Sequence, residues 1–239
     1  VHASGFVLLV TLASGFVTRA SGFVTRASAF VTLASRFVAG LTIIGIIGTG
    51  GQAPTQLEAV SKVRNIKKVI AYSRNTERRE AFARAASDTL GIEVVAASSN
   101  REAVEGSDII LCIAATTTYV VEGDWLSAGN TVIGAGPTSW RFQEVDDATF
   151  SKADKIFVDS AEQATIEAGD MASAVDRGLF QWSQLLELRH AVAGKVKGRD
   201  NDQQIVYAKL MGTGVADVAA AALAYKNASA AGLGTEMEW

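Results

Sequence analysis

From residue 42 to its end, this sequence predicts a doubly wound parallel α/β sheet, on three observations. A glycine-rich turn, Gly48-Thr49-Gly50-Gly51-Gln52-Ala53, follows the apolar run TIIGII directly. It leads into a stretch with Leu57, Val60 and Val63 at helical spacing. Beyond it, short β-rich apolar runs alternate with helical patterns, the order that builds a parallel sheet covered on both faces. Only two prolines, Pro54 and Pro137, occur in 239 residues, which points to regular structure throughout.

The turn has the G-x-G-x-x-[GA] form of a Rossmann-type βαβ unit. Gly48 allows the tight turn, Gly50 lets the backbone approach a pyrophosphate, and Ala53 is small enough for the helix to pack on the strand. The amides that open the helix, aided by its dipole, would then face phosphates. Pro54 falls in the first helical turn, where a missing N–H costs little.

The second strand is expected at Lys67–Arg74, and its end bears on cofactor choice. An Asp or Glu there would accept both ribose hydroxyls of NAD. This chain has Ser73-Arg74-Asn75, with Arg78 one turn further on. A guanidinium favours the 2′-phosphate of NADP, which a carboxylate would repel. NADP is therefore the expected cofactor, with NAD open; the alternative is that Arg74 is only a solvated loop charge.

Thr76 is expected to cap a charged helix, TERREAFARAASDTL, and Asn100 a short one. Further strands are expected at Ile92–Ala97, Ser107–Ala115, Asn130–Gly136 and Asp154–Ser160. Ligands of such sheets sit beyond the carboxyl ends of the strands. That places Thr116–Thr118, Gly136–Ser139 and Asp159–Ser160 around one crevice, though threonines after a strand can equally be plain turn residues. Trp125 reads as a packing residue. Trp140 could roof the crevice or simply pack its loop.

A formal net charge of −3 and the lack of aromatics among the basic residues argue against nucleic acid. The run Arg189, Lys195, Lys197, Arg199 reads as a solvated surface, and Glu162 and Glu167 as the wet side of a helix. Cys112, the single cysteine, lies inside IILCIAA and reads as a buried small hydrophobe. His2 and His190 lie far apart, so no metal site is legible. No membrane partner is expected.

Residues 1–41 are a different kind of sequence. From Ala13 they read ASGFVTR, ASGFVTR, ASAFVTL, ASRFVAG, with Ala and Phe at a and d heptad spacing. Gly15, Gly22 and the many Val and Thr residues make a poor helix, and the segment is expected to be disordered or irregular. Four readings stay open. Ser and Arg with no acidic residue before Glu58 fit a transit peptide. The uncharged residues 1–18 fit a signal core without its basic flank. The heptads fit an oligomerisation arm, and the exact repetition fits a translated tandem repeat with no selected fold. The chain starts at Val1 rather than Met, so its natural N-terminus is expected to lie upstream. A cytoplasmic location is expected, or an organellar one if the segment is a transit peptide.

In this order GIIGTGGQA, VIAYSRNTERREAFA, SDIILCIAATTTYVVEGDWLSAGNTVIGAG, KIFVDSAEQATIEAGD and KLMGTGVADVAAAALAY resemble the ornithine cyclodeaminase/mu-crystallin family. Members of that family reduce cyclic ketimines with NAD(P)H, deaminate and cyclise ornithine with bound NAD, or bind small ligands with NADPH. By position, the resemblance implies that Gly48, Thr49, Gly50, Gln52 and Ala53 hold the pyrophosphate and Ser73, Arg74 and Asn75 the adenosine end. It implies that Ala115 and Thr116 line the cofactor, and that Lys209, Gly212, Thr213 and Gly214 return near the nicotinamide. Asp217 matches an acidic residue on the following helix.

Three departures matter. Pro54 stands where the family commonly has an arginine. Thr138 stands where the cyclodeaminase branch has a general-base aspartate, and a hydroxyl cannot take a proton from an amine near neutral pH. The family also places a substrate and dimerisation domain before the glycine turn, and residues 1–41 show no match for it. The alanine-rich face of Val215–Gly234, which would pack partly against that domain, is then expected to be exposed and sticky.

The resemblance thus implies an NADP-dependent oxidoreductase reducing a cyclic imino acid, dimeric by family habit, with its catalytic residues unassigned and its activity open to loss through truncation. A non-catalytic NADPH and small-ligand binder is the alternative, and ornithine cyclodeamination is disfavoured by Thr138. A third class, repeat-driven assembly, predicts oligomers that vanish when residues 1–41 are deleted.

Overall fold

Among the described residues eight strands form one sheet, every neighbouring pair parallel, in the order β3-β2-β1-β4-β5-β8-β6-β7. The computed structural model describes residues 41–136 and 138–235; the heptad readings lie outside them. The strands are β1 (Leu41–Ile47), β2 (Asn65–Tyr72), β3 (Glu93–Ala96), β4 (Ile109–Cys112), β5 (Thr131–Gly134), β6 (Lys155–Val158), β7 (Leu186–Glu187) and β8 (Val206–Lys209). The helices are α1 (Ala53–Ser61), α2 (Thr76–Leu90), α3 (Asn100–Val104), α4 (Asp147–Lys152), α5 (Ala161–Glu167), α6 (Gly169–Asp176), α7 (Leu188–Val192) and α8 (Gly214–Ala230). This is the doubly wound Rossmann-type sheet that the sequence predicts.

Both faces of the sheet are covered, which is why its central strands read as unbroken apolar runs. All four residues of β4 and of β5 are buried. Alternation along β1 sends Ile44 and Ile46 to one face and Ile47 to the other. Leu57 and Val60 of α1, Phe82 and Ala83 of α2 and Leu188 of α7 pack on the first face. Val104 of α3, Phe150 of α4 and Met171 of α6 pack on the second, with Tyr207 and Phe180. Phe150 stacks on Phe180 at 5.4 Å and meets the edge of Tyr207 at 5.2 Å. Gly45 is a strand glycine with a packing reason, since a Cβ there would lie 1.9 Å from the Ala103 carbonyl oxygen.

Two caps differ from expectation by one residue. Asn75, not Thr76, caps α2: its Oδ1 accepts from the Arg78 amide at 2.8 Å. Ser99, not Asn100, caps α3, accepting from the Glu102 amide at 3.1 Å. In each pair both side chains can cap, and the extended backbone of the first residue decides. Strand β2 starts at Asn65 and ends at Tyr72, so Ser73 and Arg74 lie in its loop.

The strands β7 and β8 are not anticipated by the sequence. One is two residues long; the other is inserted between β5 and β6, so the fifth and sixth strands are not neighbours. Helix α8 buries none of its residues, and Val215, Val218 and Tyr225 are exposed. No described helix is long and apolar enough to cross a membrane.

Candidate functional site

Parallel registry levels the strand ends. Tyr72, Ile47, Cys112, Gly134, Lys209 and Val158 form one row across β2, β1, β4, β5, β8 and β6. The loops that follow therefore leave from a single edge. The chain winds away from β1 in both directions, which makes the gap between β1 and β4 the switch point where such sheets bind ligands.

The glycine turn opens at that gap. Gly48 has φ +105°, and a Cβ on it would lie 2.6 Å from the Ile113 carbonyl oxygen. Its amide donates to the Tyr72 carbonyl at 2.8 Å, which fixes the turn against β2. Beside Gly50 and Gly51 a Cβ would meet nothing within 4 Å, so the backbone there faces open space. Helix α1 starts immediately afterwards. Its N-cap Gln52 makes no side-chain capping bond, and its first turn holds no acidic residue. An uncapped helix N-terminus behind bare glycine backbone is an anion cradle. Ala53 is buried in the core as its small size requires, whereas Pro54 is exposed and offers no charge.

The loop after β2 is tied to the turn, since Thr49 Oγ1 and Ser73 Oγ share a hydrogen bond of 2.7 Å. Arg79 is committed to structure: it donates to the Ser73 carbonyl at 2.7 Å and lies 5.2 Å over the Tyr72 ring. Arg74 and Arg78 are exposed, and neither guanidinium has a partner among the described residues. No carboxylate stands in Ser73-Arg74-Asn75.

After β4, Ala115 is exposed. Thr116 Oγ1 donates to the Thr118 carbonyl at 2.7 Å and lies 3.2 Å from the Thr118 amide, the geometry of a turn held by its own hydroxyl. After β5, Thr138 is half-buried and Trp140 is 71% exposed under the Arg141 guanidinium. The Trp140 backbone rests on Gly169, where a Cβ would come within 2.5 Å of it, and Ser139 pairs with Ala168.

After β8, the loop is clamped by Asp159. One carboxylate oxygen accepts from the Met211 and Gly212 amides at 2.9 and 2.6 Å, and Gln163 donates to the Gly212 carbonyl at 3.0 Å. Burial holds Asp159 above the usual carboxylate range in spite of these bonds. Gly212 has φ +89°, and Thr213 leads into α8.

Lys209 itself turns inward. It is 1% exposed, with its ammonium 3.0 Å from Glu144 Oε2 and 3.4 Å from Asp170 Oδ2. The Tyr207 hydroxyl stands 3.4 Å from the same Asp170 oxygen. Burial pulls the ammonium down, but the two carboxylates together hold it above the ordinary lysine range. Burial pushes Glu144 up, against the pull of Lys209. Burial and these carboxylates push Tyr207 and Cys112 well up, so both stay protonated and neither is poised as a nucleophile. The surface that the β8 loop offers to a ligand is therefore its backbone at Gly212 and Thr213, not the enclosed ammonium.

The model of the ornithine cyclodeaminase/mu-crystallin family matches residues 3–232, a span that takes in most of the heptad segment as well as the sheet. The chain belongs to that family. A Δ1-pyrroline-2-carboxylate reductase of Bacillus cereus is 35% identical over 195 residues, covering 81% of this chain and 60% of its own length. Ketimine reductase mu-crystallin of Mus musculus is 32% identical over 189 residues, or 78% of this chain and 55% of its own. The chain thus spans about 60% of the length of the curated relatives it matches. Among solved structures, the Thermococcus litoralis Δ1-pyrroline-2-carboxylate reductase with NADH and L-proline superposes with a TM-score of 0.86 at 35% identity. That match covers 91% of this chain and 68% of that one.

Among the residues expected at the crevice, the structure brings Gly48, Thr49, Gly50, Gln52, Ser73, Arg74, Ala115, Thr116, Thr138, Gly212 and Thr213 to the loops of one edge. Asn75 lies beside them as the cap of α2. Glu144, Asp170 and Tyr207 had no sequence signal of their own. Arg199 corrects the expectation of a solvated run, because it donates to the Gly129 carbonyl at 2.9 Å and to Thr131 Oγ1 at 2.8 Å.

Proposed function

We propose that this chain binds NADP across the carboxyl edge of its sheet and serves the reduction of a cyclic imino acid. One observation carries the cofactor half: an uncapped helix N-terminus behind open glycine backbone, next to two exposed arginines and no carboxylate. Gly48, Thr49, Gly50, Gln52 and Ala53 would hold the pyrophosphate, with Ser73, Arg74 and Asn75 at the adenosine end. Ala115, Thr116, Gly212 and Thr213 would line the nicotinamide side. When bound, the cofactor supplies a hydride. The neighbouring structures hold NADH and NAD, so the preference for NADP rests on Arg74 and Arg78.

The substrate half draws on the relatives, a Δ1-pyrroline-2-carboxylate reductase and a ketimine reductase. Imine reduction suits Thr138, since it needs no general base to strip a proton from an amine, as ornithine cyclodeamination does. Pairing into a homodimer belongs to the same proposal, because the archaeal alanine dehydrogenase neighbour is described as a dimer. A second reading, a nicotinamide-dependent binder without turnover, is favoured by α8, whose apolar residues lie uncovered.

Fluorescence titration with NADPH and NADH, followed by turnover of Δ1-pyrroline-2-carboxylate, tests both halves. NADPH is expected to bind more tightly. Arg74→Ala is expected to weaken NADPH about 10- to 100-fold, as the loss of one charge-assisted contact to a phosphate implies, and to leave NADH almost unchanged. Equal binding of the two cofactors by both proteins would refute the assignment to NADP. NADPH binding without turnover would select the binder.

A further inference from the structure

We infer that Glu144 is a positioning residue for the crevice, joining the loop after β4 to the loop after β5 and anchoring both on Lys209. The inference rests on the proposed function for its chemistry, but its geometry stands apart from it. The Glu144 carbonyl accepts from the amides of Val120 and Val121 at 3.0 and 3.1 Å, and the neighbouring Gln143 amide donates to the Thr116 carbonyl at 3.2 Å. The segment 116–121 is therefore stitched along residues 143–144. The Glu144 side chain reaches the other way, where Oε2 accepts from the Gly136 amide at 3.2 Å and from Lys209 at 3.0 Å. Glu144 thus holds the start of the β5 loop, the far end of the β4 loop and the end of β8, while its neighbour Gln143 holds the near end of the β4 loop at Thr116.

The sequence makes room for this knot. A Cβ on Gly136 would lie 2.4 Å from Glu144 Oε1, and one on Gly134 3.1 Å from Oε2. Side chains at either position would push the carboxylate out from under the loop. Stability alone does not call for a carboxylate here. Glu144 is fully buried, and an apolar group of similar volume often does as well or better in such a place. What an apolar group cannot do is accept from the Gly136 amide and Lys209 together. Thr116 and Thr138 ride on the two joined loops, and displacement of a reacting centre by about 1 Å can cost roughly a hundredfold in rate.

The test compares the full chain with Glu144→Leu and Glu144→Gln, reading amide hydrogen exchange, dinucleotide affinity and steady-state kinetics. Glu144→Leu is expected to speed exchange in both 116–121 and 136–143 by about tenfold or more. It should lower kcat by about tenfold or more and weaken dinucleotide binding by a smaller factor, because Thr116 lines the proposed nicotinamide side while the glycine turn proposed for the pyrophosphate is held by other contacts. Glu144→Gln, whose amide oxygen can accept both bonds, is expected to restore most of the loss. Should Glu144→Leu fail to fold, Gly136→Ala displaces the same carboxylate and must loosen the same two loops. Unchanged exchange, loosening of only one loop, or a Gln variant as impaired as Leu would overturn the inference. If the wild type does not turn over Δ1-pyrroline-2-carboxylate, the proposed function fails, while the exchange data still decide the role of Glu144.

Discussion

Gly48→Ala is expected to abolish dinucleotide binding and to destabilise the fold, whereas Gly50→Ala abolishes binding alone. At position 48 the backbone has φ +105°, a region that L-residues reach only with strain of about 1–3 kcal/mol. The added methyl would also stand 2.6 Å from the Ile113 carbonyl oxygen and 2.8 Å from its carbon. Both atoms are backbone at the end of β4, so relief requires β1 and β4 to part at the switch point. At position 50 the methyl meets no protein atom within 4 Å. It fills instead the space through which a pyrophosphate would approach the amides of α1. Titration with NADPH should show a loss of about 100-fold or more in each variant, equivalent to about 2.7 kcal/mol or more. Thermal unfolding should show a lowered Tm for Gly48→Ala only. A Gly50→Ala protein that binds NADPH like the wild type would remove the glycine cradle from the account.

The contrast between these glycines shows what was legible in the sequence. The turn, the covered sheet and the first six strands could be read because each rests on a local pattern: a short apolar run, a glycine at a forced φ, a helix period. The caps were off by one because Asn75-Thr76 and Ser99-Asn100 each offer two competent side chains, and backbone conformation chooses between them. The insertion of β8 between β5 and β6 is a matter of sheet order that no local pattern encodes. The buried cluster is non-local in the same way. Lys209 meets Glu144 across 65 residues and Asp170 across 39, and in the chain each looks like an ordinary polar residue. Arg199, placed in a solvated run by its neighbours, reaches Gly129 across 70 residues.

Lys209→Met is expected to cost about 3–5 kcal/mol, a large share of the roughly 5–15 kcal/mol that holds a domain folded. The ammonium stands between Glu144 and Asp170, 0% and 2% exposed, and its removal leaves two enclosed carboxylates without a cation. The wild-type lysine is held above its ordinary value of 10.5 in the folded state. Its contribution is therefore complete below pH 10.5 and is lost as pH rises through the folded value, because there the folded state binds more protons than the unfolded one. In the variant the sensitive groups are the carboxyls. Glu144 is already raised by burial, and loss of the lysine raises it further. The folded variant then takes up a proton that the unfolded chain does not hold, so its deficit should shrink as pH falls from 7 toward 5. Urea unfolding at pH 5, 7 and 9 reads this directly. The triple variant Glu144→Gln, Asp170→Asn, Lys209→Met, which removes every charge at once, is expected to recover most of the loss. A single Lys209→Met variant within about 0.5 kcal/mol of the wild type at pH 7 would mean that water or rearrangement already satisfies the carboxylates. Lys209 would then be dispensable to the fold, and the knot at Glu144 would have to stand on its bond to Gly136 alone.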